Sequence, residues 1–246
     1  PFESKLIVIK PEKEDTIPHI TESLAAIEKI DFSEDTVWVW LSPDVDHHAN
    51  SPEEVVQIPI QLSWRGKLFS KMINLPPISQ LALSPIWDFY PEDRSFPNEQ
   101  RTIGSWTEPQ QFKVGETTIS APAHPNFSGT AIYSQQWDIA DSLLEKYDKY
   151  RLIVSQVRDV AEVWVNGYNA GVRCWQPYHF DISEYVQLGK NRLEIKVTNT
   201  PANQYVLKKQ DYIFSENWGK VVESGILGDV YIQAYNTYTV KFVDEK

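Results

Sequence analysis

The sequence predicts a mainly all-β protein: an antiparallel β-sandwich preceded by a smaller β-rich unit with one helix. Three observations carry that reading. First, apolar and polar residues alternate over short runs. Ala161, Val163 and Val165 oppose Glu162, Trp164 and Asn166, and Leu193, Ile195 and Val197 repeat the pattern. Successive side chains of a strand point to opposite faces, so a period of two marks half-buried strands. Second, turn chemistry separates the runs. Asn166-Gly167 suits the positive φ of a tight hairpin, and Leu188-Gly189-Lys190-Asn191 supplies a further turn. Third, no long helical pattern appears after Arg101, and many short strands without alternating helices favour an antiparallel sandwich.

Taken in order, KLIVIK (residues 5–10) reads as a short strand and residues 11–16 as a charged loop. Ile20, Leu24, Ile27 and Ile30 then recur at spacings of four, three and three. That period, with Thr16 as a cap ahead of Pro18, predicts one amphipathic helix near 18–30. TVWVWL (36–41) alternates Val37, Val39 and Leu41 against Trp38 and Trp40, and a polar loop follows over 42–54. Val56, Ile58, Ile60, Leu62 and Trp64 alternate again, and Pro59 among them suggests an edge strand or a bulge. Arg65-Gly66 signals a turn, with 67–75 returning as the hairpin partner. These elements form a unit over residues 1–95. Residues 84–100 contain three prolines and read as an ordered linker, with Trp87, Phe89 and Tyr90 pinning it to a domain surface. The sandwich spans 96–246. Its strands are expected at 132–139, 150–157, 161–166, 192–198, 228–235 and 237–243, with one helical turn at 141–147.

The net charge of −11 disfavours a phosphate backbone or an anionic membrane surface as partner, since both need a basic face. No run of about 18 apolar residues is present to cross a bilayer as a helix. The single cysteine, Cys174, permits neither an internal disulfide nor a cysteine-built metal cage. No basic-then-apolar leader is visible. The compartment stays open, with a secreted or periplasmic setting favoured over a cytoplasmic one. The 31 aromatic residues (nine Trp, twelve Tyr, ten Phe) suit strands, cores and flat faces that stack on sugar rings.

Four segments in series then carry a resemblance: FSGTAIYSQQWDI (127–139), AEVWVNGYNAG (161–171), QPYHFDISEYVQLGKNRLEIKVTNT (176–200) and ESGILGDVYI (223–232). Together they are similar to the galactose-binding-like jelly roll that accompanies many glycoside hydrolases. That fold is the sugar-binding domain of the β-galactosidase/β-glucuronidase group (family 2) and occurs in α-L-rhamnosidases, with FSGTAIY most like the family 106 type. The resemblance covers about residues 101–236. It implies a jelly roll, carbohydrate as ligand, and a catalytic domain of the same or a larger polypeptide as partner. It also implies a possible structural calcium ion, for which no ligands are assigned; no other cofactor is indicated. The motif residues themselves have structural work. VWVNG is a strand entering a turn, Asp181 can accept backbone N–H bonds, and Gly189, Asn191 and Leu193 lead a turn into a strand.

Catalysis by this chain alone is disfavoured. Paired carboxylates need a rigid scaffold, and no alternating strand–helix barrel is present to supply it. Ser128 lacks a nucleophile-elbow context, and Cys174 near His179 reads as a packed thiol. Asp44-Val45-Asp46-His47-His48 has metal-ligand residue types, but Ala49 stands where a calcium loop needs Gly. Asn126-Phe127-Ser128 fits a glycosylation pattern at a strand start, where a glycan is not expected. The segment RCWQPYH (173–179) is different, because its residues exceed what the fold requires. Arg173, Trp175, Tyr178 and His179, with Trp218 flanking, offer stacking rings and planar hydrogen-bonding groups for a pyranose. The expected function is a non-catalytic carbohydrate-binding or ancillary domain of a glycoside hydrolase. The alternatives are a scaffold that packs on a catalytic barrel and a stand-alone glycoside hydrolase.

Overall fold

A computed structural model describes residues 17–43, 55–75, 78–208 and 220–244. The described chain divides into two compact units. One comprises residues up to Gln80 together with Glu145–Lys149 and the segment from Gln233 onward; the other comprises Leu81–Leu144 and Tyr150–Ile232.

The first unit is built from β1 (His19–Ser23), β2 (Ala26–Phe32), β3 (Thr36–Ser42), β4 (Val56–Trp64), β5 (Lys67–Leu75) and the last strand of the chain, given below. The sheet β1-β4-β5 and a second sheet containing β2 and β3 share one core. Val37, Val39 and Leu41 meet Ile58, Ile60, Leu62 and Trp64 there, as the alternation in both strands requires. Trp38 and Trp40 sit on the opposite side of β3, under the ammonium groups of Lys241 and Lys29 at 6.0 and 4.8 Å. Arg65 and Gly66 both take positive φ (54° and 72°), the geometry of a tight hairpin turn. Pro59 lies in the central strand, yet β1 ends opposite Ile60, so the missing N–H falls beyond its partner.

The helix expected near 18–30 is not there. Those residues form β1 and β2, and each strand shifts register once, at Ile20/Glu22 against β4 and at Ile27/Lys29 against β3. A bulge inserts one residue, turning a spacing of two into three and imitating helical periodicity. Ile20 and Ile30 pack on the core, while Leu24 and Ile27 are exposed. The KLIVIK strand and the Asp44–His48 loop lie outside the described residues.

The second unit contains β6 (Ser79–Ala82), β7 (Ile86–Pro91), β8 (Glu99–Thr102), β9 (Gln110–Val114), β10 (Thr117–Ala121), β11 (Thr130–Ile139) and α1 (Asp141–Lys146). It continues with β12 (Lys149–Val154), β13 (Val157–Arg158), β14 (Val160–Val165), β15 (Tyr168–Arg173), β16 (Tyr178–Asp181) and β17 (Gly189–Thr198). It ends with α2 (Ala202–Lys208), β18 (Gly225–Ile226) and β19 (Val230–Tyr235); β20 (Tyr238–Val243) then pairs with β3 in the first unit. Strand β6, helix α1, strand β12 and strand β19 each change unit along their length.

A six-stranded sheet, β15-β14-β17-β11-β7-β8, and a four-stranded sheet, β16-β12-β19-β6, make an antiparallel sandwich. Its core takes Trp87 and Phe89 from β7, Tyr133 from β11 and Ala161, Val163 and Val165 from β14. Leu193, Ile195 and Val197 come from β17, with Leu152, Val154 and Phe180 from the other sheet. Residues 84–100 are therefore no linker. β7 pairs with β11 over Ala131–Ser134, and Trp87 and Phe89 are 1% and 0% exposed. The prolines mark strand ends rather than a boundary: Pro91 closes β7, and Pro85 and Pro97 lie in the segments before β7 and β8.

Buried polar groups fasten the connections. Arg101, fully buried, donates to Glu99 (2.8 Å) and to the carbonyls of Pro122 (2.6 Å), Glu108 (2.8 Å) and Ser105 (3.4 Å). Asn199 donates to the Phe127 carbonyl and to Ser224 Oγ, both at 3.0 Å, and its Oδ1 accepts the Gly129 N–H. Asn191 accepts from the Gln187 N–H and from Asn166 Nδ2, and donates to the carbonyls of Gln187 and Gly189. A Cβ at Gly225 would meet Tyr133 Oη at 2.6 Å, so the backbone there passes where no side chain fits. The four motif segments thus tie the sandwich together.

Candidate functional site

Two surfaces of the second unit are relevant: the loop singled out from the sequence, and a trough on the six-stranded sheet.

The loop joins β15, an edge of the six-stranded sheet, to β16, an edge of the four-stranded one. Arg173 ends β15, half-buried, with Nη1 donating to the Val172 carbonyl at 3.1 Å and its guanidinium 5.6 Å from the Phe180 ring centre. Trp175 is 71% exposed, the most exposed large apolar side chain among the described residues. Gln176 donates to the Ser155 carbonyl at 3.3 Å, and the Gln176–Pro177 peptide is cis. Tyr178 is buried, and its hydroxyl donates to the Asp159 carbonyl at 2.8 Å. Burial, then Asp159 and Cys174, push its phenol pKa up. With its ring among core residues, Tyr178 anchors the loop. His179, opposite Ile153 of β12 and half-buried, lies on the other side of β16 from Tyr178 and Phe180. The loop therefore spreads its residues between the two sheets. Trp218 lies outside the described residues.

The trough was not legible from the chain. The outward side chains of the six-stranded sheet form rows across the strands. Trp164, Glu194, Ser134, Asp88 and Gln100 are successive partners, as are Glu162, Lys196, Ile132 and Tyr90. A cavity of about 850 Å³ is lined by Asp88, Tyr90, Gln100, Gln136, Arg192 and neighbours, including Ile119 and Ser120 of β10. A second, of about 670 Å³, is lined by residues of the 91–98 segment, with Tyr90 and Ile132. Both share Tyr90 and Asn98. The signal that could have found them is the polar half of each alternation: Ser134 and Gln136 on β11, Arg192 and Glu194 on β17.

Several charges of this face pair among themselves, while the exposed Arg94 lines the second cavity. Glu194 Oε1 accepts from Arg192 at 2.7 Å and from Tyr90 Oη at 3.1 Å. Glu92 accepts from Lys196 at 3.0 Å, and Glu99 accepts from Arg101 and faces His124 Nε2 at 3.1 Å. Glu194 raises the Arg192 pKa, and the bond to Glu92 raises that of Lys196. The Tyr90 pKa is raised by burial first and by Glu194 second. Planar amides, hydroxyls, the rings of Tyr90 and Phe96 and the Arg94 guanidinium remain to meet a ligand, a set suited to hydroxyl-rich molecules. No group of three or more His, Cys, Asp or Glu among the described residues is placed to hold a metal ion.

The family model described as "Glycosyl hydrolases family 2, sugar binding domain" matches residues 105–234. A Formosa agariphila protein named "Putative beta-glucuronidase" is 26% identical over 170 residues, which is 67% of this chain and 14% of that protein. A solved rhamnosidase from Novosphingobium sp. PP1Y aligns with a TM-score of 0.50 at 18% identity. It covers 89% of this chain and 25% of its own. A β-D-glucuronidase from Dictyoglomus thermophilum aligns at 0.46 and 19%, over 65% of this chain and 28% of its own. This chain thus spans about a seventh of the curated relative and about a quarter of each structural neighbour. The family match covers more than half of the residues and falls on the sandwich just described; the chain belongs to the sugar-binding domain family of the family 2 glycosyl hydrolases.

Proposed function

We propose that this chain is a non-catalytic carbohydrate-binding domain of a larger glycoside hydrolase, whose catalytic domain is its partner. The observation that carries the reading is the trough over β7, β8, β11 and β17. It joins an aromatic floor to amide and hydroxyl groups, while its Glu194 and Glu99 carboxylates already accept cationic donors. A carboxylate bound in this way is poorly placed to serve as a general acid. Trp175, with Arg173 and His179 beside it in sequence, is a second contact surface for sugar, and Tyr178 holds its loop in place.

An exposed apolar patch at Trp87, Phe89 and Tyr90 would favour the scaffold alternative. Trp87 and Phe89 fill the chain's own core, so that patch does not form. The test is glycan-array screening followed by calorimetry on the chain, on Gln136→Ala and on Trp175→Ala. Saturable binding that Gln136→Ala weakens is the expected result. Absence of binding to any glycan would leave only the scaffold role.

A further inference from the structure

We infer that the trough takes an extended oligosaccharide laid across Tyr90, with at least one sugar unit on either side of that ring and a neutral unit in the larger cavity. The inference rests on the carbohydrate-binding reading above and adds to it the shape and charge of the ligand.

The shape follows from the two cavities. Each has a volume within the range of small-ligand sites, about 300–1,000 Å³, and they meet at Tyr90 and Asn98. A single sugar would occupy part of one and leave the other to water. A chain would fill both. At the junction the floor is Tyr90, with Ile132 beside it on β11. Tyr90 cannot swing freely, because its hydroxyl is held by Glu194 from two strands away. A ring fixed before the ligand arrives loses little entropy on binding, and its face suits the C–H side of a pyranose.

The charge follows from the pairing. An acidic sugar would need an uncommitted cation. In the larger cavity the one lining cation, Arg192, is held by Glu194, and Asp88 lines the same cavity and would repel a carboxylate; Arg94 lines only the smaller one. Gln100, Gln136 and Asn98 each offer a carbonyl and an amine, and a vicinal diol matches that pair.

The experiment uses the whole chain and measures affinity for neutral glucose, galactose, mannose and xylose series of one to six units, and for glucuronic and galacturonic acid oligomers of the same lengths. One neutral series should tighten about ten-fold or more between one and four units, and Tyr90→Ala should lose about that gain. Tyr90→Phe, which keeps the ring, should stay within about three-fold of the parent. If Tyr90→Ala fails to fold, Gln136→Ala, an exposed residue of the same floor, gives the readout. Affinity independent of length, preference for uronic acids, or unchanged binding by both Tyr90→Ala and Gln136→Ala would overturn this inference while leaving the domain a sugar binder. Binding to no glycan would overturn both.

Discussion

Tyr90 on β7 donates its phenolic proton to Glu194 on β17 at 3.1 Å, reaching over β11, which lies between them. The two residues are 104 positions apart in the chain. The same carboxylate oxygen receives Arg192 at 2.7 Å, so one acceptor orders an aromatic ring and a guanidinium together.

That relationship gives a spectroscopic prediction. Glu194 is the second cause of the raised Tyr90 pKa, so Glu194→Gln should move one tyrosine titration downward, read by tyrosinate absorbance. Because Arg192 is largely exposed, the same change should alter stability by no more than about 1 kcal/mol. An unmoved titration in the variant would mean that Tyr90 and Glu194 are not paired in solution.

Alkaline pH should destabilise the fold before any arginine titrates. Burial raises the pKa of Tyr90, Tyr133, Tyr178 and Tyr238 in the folded protein. Above about pH 10 the unfolded chain therefore releases protons that the folded chain keeps, and the slope of stability against pH is negative. The contribution is complete below the ordinary tyrosine pKa and is lost as pH rises toward the folded values. Urea midpoints should thus fall between about pH 9.5 and 11.5; a flat profile there would count against buried, neutral phenols.

Arg101 should be among the costliest single positions in the sandwich. Arg101→Met strands Glu99 and the carbonyls of Pro122, Ser105 and Glu108 without their donor. Breaking a buried pair in this way costs about 3–5 kcal/mol. Arg101→Lys should recover little, since one ammonium cannot reproduce the fork that reaches four acceptors. Denaturant unfolding measures both, and a near-parental Lys variant would refute the geometric argument.

Asn191 tests whether the G-x-N-x-L motif is structural. It is 1% exposed and makes four hydrogen bonds around the turn before β17. Asn191→Ala should cost about 1–3 kcal/mol, because one buried side chain closes all four bonds. Glycan affinity at 20 °C should not change, since Asn191 does not line the trough. A variant that keeps its stability but loses binding would move this residue from the fold to the site.

The strands β11, β12, β14, β17 and β19 and both tight turns were legible because their patterns are local. Asn166 and Gly167 adopt φ of 52° and 85°, as a turn of this kind demands. The 18–30 segment misled because a bulge shifts the face of a strand by one residue, and periodicity alone cannot separate that from a helix turn. Residues 84–100 misled because prolines at strand ends look the same as prolines in a linker. The trough was out of reach for a different reason. Asp88, Ser134 and Glu194 become neighbours only once β7, β11 and β17 pair, and nothing in a single strand announces its partner. Within the loop, sequence ranked Trp175 and Tyr178 alike, and burial separates them.

The pairing of β20 with β3 has a consequence for biogenesis. Val240 and Phe242 complete a core whose other strands begin at His19, and Lys67 closes on Asp244 at 2.6 Å. On the ribosome the sandwich strands β7–β18 are translated before that closing strand exists, so the sandwich can mature while the earlier-made unit still waits for its last piece. The unit whose strands come earlier in this sequence is then the last to be sealed, and until β20 emerges the edge of β3 remains an unfilled slot for any passing strand.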